Sequence, residues 1–295
     1  MPTPNPEQDP RTQEPQPEYD EKAQEAPGSS AEMNVTPNYG EDIYVGSGKL
    51  KDRAAIITGA DSGIGRAVAL AFAREGADVL ISYLSEDEDA KETARLVESA
   101  GRKAVLMPGD ISQEAHCQKI IQTALDEFGK LDILVNNAAF QKPRETITEV
   151  PSDEWDHTFR TNIYSMFYLC KAALPHMPKG GSIVNSCSIE AFQPDYNLLA
   201  YAASKGAIVN FTKGLSGSAI KLGIRVNSVA PGPIWTPLIP STLPLEMART
   251  FGQDTPIGRA GQPYELAPVY VLLASQEASY ITGQTYGVTG GDPLI

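Results

Sequence analysis

The run Ala54-Ala55-Ile56-Ile57-Thr58-Gly59-Ala60-Asp61-Ser62-Gly63-Ile64-Gly65-Arg66 decides the fold. Its first five residues read as a short buried strand, and residues 66–75 continue as a helix. Between them lies a glycine-rich turn with the spacing G-x-x-x-G-x-G. Glycines let a chain turn tightly and let its backbone approach a pyrophosphate, whose charge then meets the positive end of the helix. The glycines alone would describe any tight turn. Strand, turn and helix in that order predict a nucleotide cradle.

Outward from this unit the pattern repeats. Residues 77–83, 103–107, 131–135, 182–185, 224–229 and 284–288 read as strands. Helices are expected between them, over 87–100 and from Ser112 as N-cap to 128. A long one starts at Ser152 as N-cap, with Trp155, Phe159, Ile163, Phe167, Leu169 and Leu174 as apolar positions. Two more cover 199–222 and 263–274. This alternation predicts an α/β fold, a doubly wound parallel sheet of Rossmann type, with a ligand crevice at the strands' carboxyl ends. Residues 41–295 form one domain on this reading. Within it, 234–262 is proline-rich without clean periodicity, which predicts an irregular lid or substrate segment.

Residues 1–40 differ in kind. They hold eight of the 23 prolines, and eight acids against Arg11 and Lys22, with almost no aliphatic side chains. Such a segment is expected to be a disordered acidic tail, dispensable for catalysis, because it has little apolar surface to offset its ordering entropy. The whole chain carries a formal charge of −13, which argues against nucleic acid or an anionic membrane as partner. No apolar run approaches membrane-spanning length, and Met1-Pro2-Thr3-Pro4-Asn5-Pro6 lacks a signal-peptide core. Cys117, Cys170 and Cys187 make an odd count without metal-ligand spacing, and His116, His157 and His176 complete no zinc pattern. Reduced thiols, no metal and a cytoplasmic location are the expectation.

One further stretch carries chemistry. In Tyr201-Ala202-Ala203-Ser204-Lys205, a phenol and an ammonium lie one helical turn apart on the same face. A free phenol, with a pKa of about 10, exchanges protons poorly at neutral pH. A fixed cation nearby favours the phenolate and eases proton exchange with an alcohol or carbonyl oxygen. Small residues between the two let a flat cofactor approach. Tyr and Lys at this spacing more often mark only a solvated helix face, so the neighbouring motifs carry the weight.

Those motifs together resemble the short-chain dehydrogenase/reductase family. Thr58-Gly59 through Gly63-Ile64-Gly65 is similar to its glycine motif, and Asn136-Asn137-Ala138 to its central-strand motif. Asn162 stands at its active-site asparagine, Ser188 at its catalytic serine thirteen residues before Tyr201, and Pro231-Gly232 to Thr236 resembles its nicotinamide-side loop. The resemblance covers roughly residues 50–291. More narrowly, Tyr44-Val45-Gly46-Ser47-Gly48 and the proline-rich leader resemble a general-stress and glucose/ribitol-dehydrogenase-like group. Ala139 stands where the family usually has glycine, and Thr289 where aspartate is common.

The resemblance implies hydride transfer between a nicotinamide cofactor and a small aldehyde, ketone, polyol or sugar. Tyr201 would exchange the proton, Lys205 would lower its pKa and bind the ribose, and Ser188 would hold the substrate oxygen. Asn162 would fix the local helix and a proton-passing water. Cofactor contacts would come from Gly59, Asp61, Ser62, Gly63, Ile64, Gly65, Tyr83, Asp110, Ile111, Asn137, Ala138, Tyr201, Lys205, Pro231, Gly232, Ile234 and Thr236. Tyr83 occupies the family's usual NAD marker position, and Ser62 and Leu84 its usual NADP positions. With acids at Asp61, Glu86, Asp87 and Glu88 and no cation for a 2′-phosphate, electrostatics favour NAD. Hydroxyls at Ser82, Tyr83 and Ser85 keep NADP open. The substrate walls would be Phe140, Gln141, Glu190, Phe192, Gln193, Tyr196 and Trp235. A homotetramer joined through helices 153–178 and 199–222 is implied by the family. A catalytically idle relative serving binding or stress assembly is the alternative reading. An enoyl reductase is disfavoured, because those relatives space Tyr and Lys more widely than four.

Overall fold

Apolar runs bounded by glycine and proline become seven parallel strands in the computed structural model, which describes residues 8–294. They are β1 (Ala54–Thr58), β2 (Asp78–Tyr83), β3 (Ala104–Pro108), β4 (Ile133–Asn136), β5 (Ser182–Ser186), β6 (Arg225–Pro231) and β7 (Thr285–Val288). Their order is β3-β2-β1-β4-β5-β6-β7. β1, β4, β5 and β6 are buried throughout, as a sheet covered on both faces requires. One face carries α1 (Gly63–Arg74), α2 (Asp87–Ser99) and α9 (Pro263–Ala274). The other carries α3 (Glu114–Phe128), α5 (Ser165–Ala173) and α6 (Leu199–Ala219). The chain winds from β1 outward to β3, then returns to lay β4 on β1's other side. That reversal opens a crevice beyond the ends of β1 and β4.

Three local expectations change. The long helix opens at Pro151, which takes the cap position Ser152 was expected to hold. It then runs as α4 (Ser152–Phe159), one π turn (Arg160–Tyr164) and α5. Ser112 does not cap α3 either. Its amide and hydroxyl are held by the two Asp110 carboxylate oxygens at 2.8 and 2.7 Å, and the helix starts after Gln113. The 234–262 segment is partly helical, with α7 (Leu238–Thr242) and α8 (Leu245–Arg249).

The largest correction concerns the leader. Residues 1–7 lie outside the described residues, but 8–40 are laid against the domain rather than disordered. Tyr19, Met33 and Tyr39 are buried. Tyr19 stacks on Trp235, ring centroids 4.2 Å apart, in a small core with Met33, Ile239, Leu243, Ala248 and Ala260. The Trp235 indole donates to the Val35 carbonyl at 2.7 Å, Tyr19 N to Arg249 O at 2.9 Å, and Gln24 N to Pro240 O at 3.0 Å. A segment too poor in apolar residues to build a core still docks on one. Three buried side chains, Tyr19, Met33 and Tyr39, serve as anchors, prolines limit the entropy lost, and neighbouring elements supply the hydrogen-bond partners.

Candidate active site

The crevice at the strand ends is a cleft of ≈ 440 Å³. At one end, Gly59 and Gly63 adopt φ of +60° and +52°, and a Cβ on Gly65 would lie 2.0 Å from Gly59 O. Side chains would therefore break this turn. Ser62 precedes α1 in extended conformation without capping it, which leaves first-turn amides for an anion. Behind the turn, buried Arg66 donates to Asp61 O through Nε at 2.9 Å and Nη2 at 2.7 Å, and pairs with Asp89 at 2.7 Å.

Thr58 Oγ1 accepts from the amides of Asn137 and Ala138 at 2.9 and 3.1 Å, while Asn137 Nδ2 donates to the carbonyls of Thr58 and Gly59. The ends of β1 and β4 are thus knitted into a floor. Further along lie Ser82, Tyr83, Leu84, Glu86, Asp110 and Ile111. Ser82 Oγ is buried there without a partner. The Tyr83 hydroxyl donates to Asp87 at 2.7 Å, and burial followed by that carboxylate pushes its pKa up to about 12. Burial likewise pushes the Asp61 carboxyl up to about 6, against a 2.8 Å hydrogen bond from Ser62.

At the other end, β5 runs into a short turn capped by Ser188, whose Oγ accepts from Glu190 N at 3.2 Å. The Tyr201 phenol, from the first turn of α6, faces the Ser188 hydroxyl. Lys205 is buried, with Nζ donating to Ser186 O at 2.9 Å and lying 5.1 Å from the Tyr201 ring centroid. Burial drives its pKa down to about 8. The expected lowering of the phenol does not arise in this geometry. Burial, with a smaller push from the nearby Glu190 carboxylate, raises the Tyr201 pKa against the neighbouring Ser188 hydroxyl, while the Lys205 ammonium is turned to a carbonyl.

Asn162 sits in the π turn behind the cleft. Its Oδ1 accepts from Phe140 N at 2.8 Å, and its Nδ2 donates to Phe140 O and Ser204 Oγ, both at 2.9 Å. It clamps the loop after β4 to α6. Ser188, Tyr201 and Lys205 share the cleft wall, joined by Pro231, Gly232, Ile234 and Thr236.

Of the expected substrate walls, Phe140, Gln141 and Glu190 line the cleft. Trp235 does not, being consumed in the leader's core. Tyr196 points to solvent at 76% exposure, Gln193 donates to Pro293 O, and Phe192 packs with the α3–α5–α6 side. The walls that sequence reasoning missed include apolar Ile189, Leu198, Leu238, Leu243 and Phe251, polar His157 and Thr161 and, from the leader, Pro27. The proline-rich irregularity of 234–262 signalled its share of them. Nothing local signalled Pro27.

The glycine cradle, the open first turn of α1 and the unpartnered Ser82 hydroxyl fit an elongated dinucleotide at this cleft. Among the described residues lining it, Lys205 is the only lysine or arginine.

Comparison with known proteins shows the family of the chain. A family model described as enoyl-(acyl carrier protein) reductase matches residues 59–292. General stress protein 39 of Bacillus subtilis is 51% identical over 266 residues, 90% of this chain and 93% of that one. The Arabidopsis thaliana NADPH-dependent aldehyde reductase 1, chloroplastic, is 43% identical over 278 residues, 92% and 96% of the two chains. Glucose and ribitol dehydrogenase of Daucus carota is 42% identical over 277 residues, 92% and 95%. A Burkholderia cenocepacia short-chain dehydrogenase solved with NADP superposes with a TM-score of 0.77 at 31% identity, covering 82% of this chain and 98% of that one. The chain belongs to the short-chain dehydrogenase/reductase family and is an oxidoreductase of that type, binding a nicotinamide dinucleotide.

Proposed function

We propose that the protein interconverts a small polar carbonyl compound and its alcohol, with aldehydes, ketones, polyols and sugars as the substrate class. The observation that carries this reading is the convergence of Ser188, Tyr201 and Lys205 on one wall of a cleft whose other end is the glycine turn. The dinucleotide supplies or takes the hydride when bound. Tyr201 gives or takes the proton at the substrate oxygen, and Ser188 orients that oxygen through its hydroxyl. Lys205, buried with a depressed pKa and held by the Ser186 carbonyl, faces the ribose side of the site. Asn162 is a positioning residue, clamping the loop at Phe140 to α6. Gln141 and Glu190 among apolar walls suit a small oxygenated substrate, in line with relatives named for aldehyde reduction and for glucose and ribitol.

For the cofactor we propose NAD, since Asp61 and Glu86 line the adenosine end and no lysine or arginine does. A second reading, NADP, is favoured by the Ser62, Ser82 and Tyr83 hydroxyls there and by a relative named NADPH-dependent. Side-by-side calorimetry with the two dinucleotides decides between them: tighter NADP binding overturns the NAD reading. Exposed Trp155, Tyr164 and Phe167 along α4 and α5 support a homotetramer, and three unpaired cysteines support a cytoplasmic location. A panel of aldehydes, sugars and polyols tests the activity. Cofactor binding with no turnover across that panel favours the idle-relative reading.

A further inference from the structure

The leader contacts both the 234–262 segment and the Arg66–Asp89 pair behind the glycine turn. On one side, Gly28 lies so close to the 234–262 segment that a Cβ there would sit 2.6 Å from Pro237 O, and Ser241 Oγ donates to Pro27 O at 3.2 Å. Two residues later, Ser30 N donates to Asp89 Oδ2 at 2.9 Å, on α2. Asp89 pairs with Arg66, and Arg66 holds the Asp61 carbonyl of the glycine turn. Tyr39 reinforces the same hub, its hydroxyl 2.6 Å from Ser30 Oγ and its ring 4.6 Å under the Arg66 guanidinium. Residues 27–30 therefore tie the lid side to the glycine-turn side. Between those ties, Pro27 lines the same cleft as Ser62, Gly63 and Thr236.

We propose that residues 19–39 are a strap across the dinucleotide cleft, with Pro27 a further cofactor-contacting residue and Tyr19 and Ser30 the residues that position it. This rests on the reading of the cleft as a dinucleotide site. The lid cluster around Trp235 anchors one end of the strap and the Arg66–Asp89 pair the other. A dinucleotide held beneath it leaves only when one of those ends lets go, so strap contacts act on dissociation more than on chemistry.

The test uses the full chain and two variants that loosen opposite ends. Tyr19→Ala deletes the ring stacked on Trp235. Ser30→Pro deletes the amide that Asp89 accepts, at the first position of a 3-10 turn, where proline's φ is tolerated. Circular dichroism and thermal melts establish that each is folded, and if Tyr19→Ala is not, Ser30→Pro carries the test. NADH and NADPH dissociation is followed by stopped-flow fluorescence in a chase with excess oxidised dinucleotide. The expected result is dissociation and dinucleotide KM both raised on the order of tenfold, with kcat for carbonyl reduction unchanged or higher. Unchanged dissociation and KM in the folded variants overturn the strap. A parent that binds neither dinucleotide overturns the oxidoreductase reading itself, a separate and recognisable failure.

Discussion

The two rims of the cleft are built in opposite ways. Ser188, Tyr201 and Lys205 of the α6 rim come from one stretch of chain, which runs from the end of β5 through two short turns into α6. The glycine-turn rim is assembled from three separated stretches: residues 59–65, the start of α2 and the leader, which ties this rim to the 234–262 segment. Their buried ionisable groups mirror each other. Burial drives the Lys205 ammonium down to about 8 and the Asp61 carboxyl up to about 6, each toward its neutral form. A locally encoded rim fails only when its own residues change. An assembled rim can be loosened from a distance.

Tyr201→Phe puts that contrast to its hardest trial. It keeps the ring on the α6 rim and removes the hydroxyl proposed to exchange the proton, so turnover should fall on the order of 10²–10⁴-fold. Dinucleotide affinity, governed largely by the other rim, should stay within about threefold. Undiminished carbonyl reduction by this variant would sink the proposed mechanism.

Trp235→Ala attacks the assembled rim. The indole is fully buried and anchors both Tyr19 and Val35, so its removal should cost about 3–5 kcal/mol in urea unfolding. If the leader docks independently, the loss appears instead as an early, separate transition with the main midpoint unmoved. Tyr19→Phe is the milder probe. It keeps the stack but removes the oxygen that accepts from buried Ala260 N at 3.1 Å, an unpaired donor worth about 1–3 kcal/mol. A variant as stable as the parent would show that this hydrogen bond contributes nothing net.

The same contrast governs what could be read from sequence. Strand, glycine turn and helix at 54–74, and the Ser188–Tyr201–Lys205 spacing, are local patterns, and local patterns survive into structure with shifts of a residue or two at their ends. The sheet's winding followed from the βα alternation. The leader did not follow, because its composition was weighed as if it had to fold on itself, and its anchors Tyr19 and Trp235 lie 216 positions apart. Its place beside a matched motif puts Trp235 on the substrate wall, and the leader's demand on its ring is invisible in that neighbourhood. Asn162 was placed by motif, but the π turn that aims its amide at Phe140 and Ser204 leaves no mark in residue type. Residue preference alone makes Ser112 and Ser152 the expected caps. Asp110 and Pro151 outcompeted them locally.

The smallest effect reads the charge of the assembled rim directly. Asp61 lines the adenosine end, with Ser62 donating to Oδ2 and Glu86 and Asp89 as the nearby carboxylates that add to its raised pKa. With that pKa near 6, the carboxyl is neutral below about pH 6 and charged above it. A 2′-phosphate gains its second negative charge in the same range. Repulsion between the two should therefore grow as pH rises from 5 to 7.5, weakening NADP⁺ relative to NAD⁺ by on the order of a few-fold. Because the phosphate titrates too, the parent's trend alone does not isolate Asp61. Asp61→Asn does: it should leave the ratio of dissociation constants unchanged at pH 5, where the parent carboxyl is already neutral. At pH 7.5 it should improve NADP⁺ binding by that few-fold, with NAD⁺ little affected. Calorimetry at the two pH values measures all four constants for each protein. Equal ratios in parent and variant at pH 7.5 would mean that the carboxyl faces away from the 2′ position, and that Glu86 alone carries the rim's discrimination.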